Sequence, residues 1–281
     1  MKCLNIILLL LGLIFDSIGQ EHKVDQPISD ELYSVVEQRV NAIRSELSVL
    51  NAQDWTGVYL LGDHHPTVFS LSPNKGFVVT SSLHTFSPSW VNFGRVSYSN
   101  GRVTVYPELT KDEKSAHTMP TEFVVVRWGK YRFLVPPPEL INFAYDVHSR
   151  SGNTFVDYFV KEPESETDSD RKGLPDLPIE YLKYVHMKPI VAKVLSVKEI
   201  GDYSDGAVEI DAGRKKGVIK GMSFFLVGGK SNYVILRVTD ISEDRAVCHV
   251  AGIGGGRDLP GNFWVKGWQF TSRMPKNFAG G

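Results

Sequence analysis

The spacing of apolar residues predicts one helix near the start of the chain. Ser29 suits an N-cap, and Asp30 and Glu31 follow in the first turn, where the helix dipole favours acidic side chains. The apolar side of this helix is predicted to pack on its own domain, and the alternative is a coiled-coil seam that joins two copies through residues 29–50. Apolar residues recur at intervals of four and three on one helix side, at Leu32, Val36, Val40, Ile43, Leu47 and Leu50.

From Trp55 to Val135 the pattern changes to alternation of apolar and polar residues, which is typical of half-buried strands. Turn residues interrupt this pattern at 73–76, at 100–101 and at 129–130, so each turn predicts a hairpin. The hairpins together predict an antiparallel β-meander. The expected cross-strand pairs are Tyr98 with Val103, Val96 with Val105, Trp128 with Tyr131, and Val126 with Phe133.

A second helix is predicted after the meander, in the segment PPPELINFAYDVHSRSG. Pro138 suits its first turn, and Gly152 lies beyond its end. We expect this helix to cap one face of the meander, with an apolar side made of Leu140, Phe143, Ala144 and Val147.

An acidic, proline-bearing stretch, residues 161–178, has little to bury and predicts a linker between two domains. The meander domain with its capping helix then spans residues 51–160, and a second domain spans residues 179–275. Between residues 186 and 271, about six short alternating runs separated by glycine-rich turns are typical of a small β-barrel. The predicted fold class is mainly β with a few helices.

The stretch DAGRKKGVIKGMSFFLVG combines glycines with three cations and raises the question of a phosphate site. A phosphate-binding loop of the Walker type needs Gly-Lys-Ser/Thr before a helix, whereas Gly217 precedes Val218 and Gly221 precedes Met222 at the start of a strand. We therefore predict that the glycines form turns between strands. The cations Arg214, Lys215 and Lys216 are predicted to be solvated.

This stretch also resembles a known module. Its matching positions are Ile210, Asp211, Gly213, Gly217, Val218, Gly221 and Met222, and the run ILRVTDISEDRAVCHV follows. The pattern is similar to the small β-barrel modules of bacterial rod-shape-determining cell-wall scaffold proteins and of the C-terminal part of a flagellar T-ring assembly protein. That resemblance implies a barrel fold and a protein-contact role without catalytic residues. Residues 55–150 resemble the first domain of uncharacterised secreted bacterial proteins, which implies no function.

The first 19 residues have the three regions of a secretory signal peptide: Lys2, an apolar run from Leu4 to Phe15, and small residues at Ser17 and Gly19. Cleavage after Gly19 would export the protein to the periplasm or the medium. The apolar run covers only about 18 Å as a helix, against about 30 Å for a hydrocarbon core, so no membrane span is expected after cleavage.

The composition limits the kinds of molecule that the protein is expected to bind. A formal net charge of −1 over 281 residues argues against nucleic acid as a partner. The residues imply no cofactor. Loss of Cys3 with the signal peptide would leave Cys248 as the one cysteine, so no internal disulfide is expected.

A metal site is one hypothesis for the first domain. Asp63, His64 and His65 stand between Gly62 and Pro66, and either His84 or His117 would join them from a neighbouring predicted loop. Imidazole and carboxylate are ordinary zinc ligands, and adjacent histidines chelate one ion only in a loop. The alternative is that these histidines are solvated.

Three aromatic residues form the second candidate site. Phe86, Trp90 and Phe93 lie in the segment LHTFSPSWVNFG, which is predicted to be a loop between strands. Exposed rings there would grip a glycan or a peptide, and the alternative is that they fold under and seal the end of the sheet.

No residue set is indicated as catalytic. Ser72 and Lys75 match a Ser-x-x-Lys pattern but occupy a predicted turn, and Cys248 shares a strand face with Ala246 and Val250, away from His249. The sequence favours an exported, non-enzymatic envelope protein that binds or scaffolds another protein or a wall polymer. The alternative is a metal-dependent or other hydrolase with its site on the first domain.

Overall fold

The computed structural model describes residues 29–50, 53–61, 67–81, 90–109, 119–147, 158–161, 173–198, 207–227, 232–255 and 267–273. It contains two closed antiparallel β-barrels and a few helices, which confirms the predicted fold class. In the described part of the chain, no helix has both the length and the hydropathy needed to cross a membrane.

The first barrel has eight strands, and each pairs with the next in the chain. The meander becomes a barrel because the last strand pairs with the first, at Val160 and Leu60. Closure leaves no free sheet edge. The strands are β1 (Gly57–Leu61), β2 (Thr67–Ser72), β3 (Gly76–Ser81), β4 (Trp90–Ser99), β5 (Arg102–Pro107), β6 (Glu122–Trp128), β7 (Tyr131–Val135) and β8 (Phe159–Lys161).

The hairpin registers predicted from sequence are confirmed. Tyr98 pairs with Val103 across β4 and β5, and Trp128 pairs with Tyr131 across β6 and β7. Residues 73–75 form the turn between β2 and β3, and Ser72 pairs with Gly76 across it. The interior of this barrel is filled by side chains that include Tyr59, Phe69, Phe77, Phe123 and Phe159.

The first helix, α1 (Asp30–Val49), packs on the outside of this barrel. Its apolar stripe buries Val36 and Ile43 against Val78, Val91 and Phe93, as expected for packing on its own domain. A coiled-coil seam between two copies would require the same side chains that α1 buries here against the barrel. The hydroxyl of Ser29 accepts a hydrogen bond from the amide of Leu32, so the predicted N-cap is confirmed.

The second barrel has the six strands expected for the C-terminal region. They are β9 (Val191–Lys198), β10 (Ala207–Ile210), β11 (Ser223–Leu226), β12 (Asn232–Ile241), β13 (Ala246–Gly255) and β14 (Gln269–Thr271). Their spatial order around the barrel is β10-β13-β12-β11-β14-β9. The last strand is shorter than the predicted run at 263–270, because it begins at Gln269, and residues 263–266 lie outside the described part.

The glycine-rich stretch forms the connection from β10 to β11, as the pattern predicted. Gly217 and Gly221 both have φ of +85°, a conformation that L side chains rarely adopt. Gly213 does not have a positive φ and is needed for a different reason: a Cβ there would lie 2.5 Å from the backbone of Ser242 and Arg245. The cations are exposed and form surface ion pairs, Arg214 with Glu243, Lys215 with Asp244 and Lys216 with Asp211.

The second predicted helix, α2 (Leu140–Asp146), contacts both barrels, whereas the sequence predicted only a cap on the meander. The ring of Phe143 lies 5.1 Å from that of Phe133 on the outside of the first barrel. The side chain of Asn142 bonds to the second barrel, accepting from the amide of Ser223 at 2.8 Å and donating to the carbonyl of Gly221 at 3.2 Å. One hydrophobic cluster therefore runs from β6 and β7 through α2 into the second barrel.

A third helix, α3 (Ile179–His186), follows and was not predicted. It packs on α2, with the rings of Tyr145 and Tyr184 6.0 Å apart. The residues just before it belong to the predicted linker but lie against β6. The indole of Trp128 donates to the carbonyl of Gly173 at 3.0 Å, and Leu177 is buried. Residues 162–172 of the predicted linker lie outside the described part.

Candidate functional site

Three cations form a row across neighbouring strands at one end of the first barrel. Arg127 of β6 is directly opposite Arg132 of β7, and Arg132 is directly opposite Lys161 of β8. We call Arg127, Arg132 and Lys161 the cationic row. Side chains alternate between the two faces of a strand, and Val125, Leu134 and Phe159, two residues away from each cation, face the barrel interior. The row therefore lies on the interior side of the sheet, at the mouth of the barrel.

A single carboxylate bridges two members of the row. Asp54 Oδ2 lies 2.7 Å from Arg127 Nη2, and Asp54 Oδ1 lies 3.4 Å from Arg132 Nε. Like charges directly opposite each other destabilise a sheet, and this bridge offsets part of that repulsion. Three cations and one bridging carboxylate still leave the row itself with an excess of positive charge.

Lys161 is the most constrained member of the row. Its ammonium donates a hydrogen bond to the carbonyl of Thr56 at 2.8 Å and lies over Gly57. A Cβ at residue 57 would come within 2.8 Å of Lys161 Nζ, so the glycine makes room for the lysine. Partial burial lowers the pKa of Lys161, and the charge of Arg132 lowers it further, although Asp54 acts in the opposite direction. The ammonium of Lys161 therefore releases its proton more readily than that of a free lysine.

The segment before β1 folds over the mouth and fixes Asp54 in place. Trp55 is buried and its ring stacks on Tyr98, with centroids 5.2 Å apart. The hydroxyl of Tyr59 donates to the carbonyl of Asp54 at 3.3 Å, and burial raises the pKa of Tyr59. The bridging carboxylate is therefore held by a packed segment.

This arrangement can bind an anion. The side chain of Arg127 is 49% exposed, so water and ligands reach it. Among the described residues, Asp54 is the only acidic side chain within ion-pair distance of the cationic row. Mouths of β-barrels are also common places for ligand sites.

The aromatic candidate site differs from its prediction. Phe93 lies inside β4, where it is 5% exposed beneath α1, and the guanidinium carbon of Arg39 lies 4.2 Å from its ring centroid. Of the two sequence alternatives, burial therefore holds for Phe93. Trp90 begins β4, but its side chain and the whole of Phe86 lie outside the described part.

The proposed metal ligands Asp63, His64, His65 and His84 also lie outside the described residues. The strand ends that flank them are neighbours at the opposite end of the barrel from the cationic row: Leu61 pairs with Thr67, and Ser81 pairs with Trp90. In the described part of the chain, no three His, Cys, Asp or Glu side chains are grouped to hold a metal ion.

The remaining candidates have structural roles. Cys248 is fully buried in the second barrel, and burial raises its pKa to about 12, so its thiol is a core side chain, as predicted. Ser72 ends β2 and Lys75 lies in the turn that follows, which agrees with the prediction of turn chemistry.

Sequence reasoning missed the cationic row, although part of it was readable. The predicted pairing of Trp128 with Tyr131 already places Arg127 opposite Arg132, and two cations in that position are an unusual choice for a hairpin. Lys161 could not be included because β8, a three-residue strand, was not predicted.

Comparison with known proteins gives no match: no protein-family model, no curated protein and no solved structure is similar to this chain. The resemblance to the rod-shape and T-ring modules therefore stays a prediction.

Proposed function

We propose that this protein is an exported, non-enzymatic envelope protein that binds or scaffolds another protein or a wall polymer. The observation that carries the proposal is that one hydrophobic cluster runs from the outer face of β6 and β7 through α2 into the second barrel. Domains joined by a small polar interface move relative to each other by default, whereas a hydrophobic interface holds them in place. Two barrels held through a shared helix present their surfaces at a fixed spacing, which suits a scaffold.

Further contacts support a fixed arrangement. Arg237 of β12 pairs with Glu139, which directly precedes α2. Arg273, after β14, donates to the carbonyl of Tyr145 at 3.2 Å and to that of Met187 at 3.0 Å. Each of these bonds joins the second barrel to α2 or to its immediate neighbours.

The test is capture of a partner from the native envelope with the mature chain as bait. We expect one defined protein or wall fragment to be retained in stoichiometric amount and to bind again when purified. If the bait retains no partner from the membrane fraction and none from the wall fraction, the proposal is contradicted. Export itself is tested by mass spectrometry of the protein outside the cytoplasm, where an N-terminus at residue 20 is expected and an intact Met1 would count against it.

The alternative function, a metal-dependent hydrolase with Asp63, His64, His65 and His84, has one observation in its favour. The strand ends that flank these residues adjoin at one end of the first barrel, as the pairings of Leu61 with Thr67 and of Val68 with Thr80 show. Elemental analysis of the purified mature protein separates the two functions. Stoichiometric zinc that is lost on replacing His64 and His65 would favour the hydrolase.

A further inference from the structure

We propose that the cationic row at the mouth of the first barrel binds the carboxylates of an acidic peptide. This inference rests on the proposed binding function and names the ligand chemistry of one surface. The chain as a whole is nearly neutral, with a formal net charge of −1, so the positive charge here is a local feature.

The three cations of the row repel one another in the free protein. Arg127, Arg132 and Lys161 stand directly opposite one another on three adjacent strands, at a spacing of about 4.8 Å per strand. Charges at that separation repel each other, most strongly where they are partly removed from water. An incoming anion relieves repulsion that is already present in the free protein.

The row already holds a carboxylate. Asp54 bridges the two guanidinium groups through both of its oxygens, at 2.7 and 3.4 Å. Guanidinium groups recognise the planar carboxylate by paired hydrogen bonds. Asp54 shows that the geometry of the row fits that group, and it acts as an internal competitor of the ligand.

Within the described part of the structure, Lys161 and Arg127 have spare hydrogen-bond donors. In the described part of the structure, Lys161 Nζ has one hydrogen-bond acceptor, the carbonyl of Thr56, although an ammonium has three donors. The guanidinium of Arg127 contacts Asp54 through Nη2. Both groups therefore retain donors for a second carboxylate. A peptide with neighbouring acidic side chains supplies more than one flexible carboxylate within reach of the row.

The experiment titrates the full mature chain with the capped peptide acetyl-Glu-Glu-Glu-amide, followed by calorimetry and by NMR. The matched probe is acetyl-Gln-Gln-Gln-amide, which has the same length without the charges. We expect binding of the glutamate peptide that weakens in high salt, and no binding of the glutamine peptide. Equal binding of the two peptides, or binding of inorganic phosphate without the glutamate peptide, would overturn the assignment.

Variants locate the site. Lys161→Gln and Arg127→Gln are each expected to weaken binding about tenfold, because each removes a charged hydrogen-bond donor. Lys75→Gln removes one charge from an exposed turn at the same end of the barrel and should change binding by less than about twofold. Arg127→Gln leaves the packed position of Lys161 intact, so it keeps the test valid if the lysine variant folds poorly. Equal effects of Lys75→Gln and Arg127→Gln would contradict a defined site.

Asp54→Asn is expected to act in the opposite direction. Removing the internal competitor should lower the melting temperature of the free protein, yet tighten binding of the glutamate peptide about threefold or more. A merely structural role of Asp54 would weaken binding together with stability, and that result would contradict the proposal. The pKa of Lys161, followed by NMR, should rise when the peptide binds.

Failure of this inference and failure of the proposed function can be told apart. If the native envelope supplies a partner that Lys161→Gln still retains, the scaffold function stands and the cationic row is not its surface. If the peptide binds at the row but the envelope supplies no partner, the ligand chemistry stands and the scaffold function does not.

Discussion

The side-chain oxygen of Asn142 accepts a hydrogen bond from the buried amide of Ser223, across 81 residues of sequence. This bond joins α2 to the first residue of β11, and the same side chain donates to Gly221. A buried polar residue of α2 thus completes the hydrogen bonding of a strand in the second barrel.

Asn142→Ala should therefore destabilise the protein by about 1 to 3 kcal/mol, because it leaves the buried amide of Ser223 without its acceptor. Gln38→Ala on the exposed face of α1 is a suitable control and should stay within about 0.5 kcal/mol. Chemical denaturation measures both. Equal stability of the two variants would mean that the α2 contact contributes nothing.

Gly213 and Gly221, between β10 and β11, are each needed for a different structural reason. Gly221→Ala should cost about 1 to 3 kcal/mol through its positive φ, since a Cβ there would meet the carbonyl oxygen of Pro138 at an ordinary contact distance of 3.7 Å. Gly213→Ala should cost more, because the Cβ would collide with backbone at Ser242 and Glu243 that cannot easily move. The reverse order in thermal unfolding would show that close backbone approach is not the reason for Gly213.

The cations in the same stretch give the complementary prediction. Replacing Arg214, Lys215 and Lys216 by serine should cost little, at most about 1 kcal/mol per pair, because all three ion pairs are on the surface. Calorimetric binding of ATP that disappears in this triple variant at unchanged melting temperature would restore the phosphate hypothesis.

Glu46 should make stability depend on pH. Slight burial alone would raise its pKa, but hydrogen bonds from the Asn74 side chain and from the amides of Asn74 and Lys75, with the nearby hydroxyl of Ser72, outweigh it, so the pKa is lowered. A lowered folded-state pKa contributes stability above the usual glutamate value of about 4.3, which is lost as the pH falls through the folded value. Glu46→Gln should thus destabilise the protein at pH 7, and the difference should shrink in acid. A difference in stability between the two proteins that does not change with pH would contradict this account of the contact between Glu46 of α1 and the β2–β3 turn.

Cys248 should be inert in the native protein. Burial raises its pKa to about 12, so at pH 8 the thiol is protonated as well as inaccessible. A thiol reagent should label it only at the rate of unfolding and fully in denaturant. Fast labelling of the folded protein would contradict a core role.

How much of the fold can be predicted from the sequence depends on how far apart in the chain the interacting residues lie. The hairpins at Asn100-Gly101 and Gly129-Lys130 were predictable because their turns fix the register of adjacent residues. Closure by β8 was not, because it depends on pairing Val160 with Leu60, about 100 residues earlier, and a three-residue strand has almost no pattern. The contact of α2 with the second barrel escaped prediction for the same reason, since a helical stripe shows that a face is buried and not what buries it.

The candidate site follows the same division. The opposition of Arg127 and Arg132 is local and readable from the hairpin, whereas Asp54 and Lys161 join them only through barrel closure. The sequence predicted a loop at Phe93 because the residues before it are rich in serine and proline, so the start of β4 has no strand pattern. Its burial depends on α1, which lies far away in sequence.

The most direct test of the central claim, that α2 holds the two barrels as one body, is a distance distribution between spin labels on the two barrels. Labels at Lys75→Cys and Lys215→Cys occupy exposed positions, and Cys248 is too deeply buried to react. A second pair within the first barrel, Lys75→Cys with Lys130→Cys, gives the reference width. The account predicts a single distribution between the barrels as narrow as the reference, and a broad or multiple distribution would contradict it.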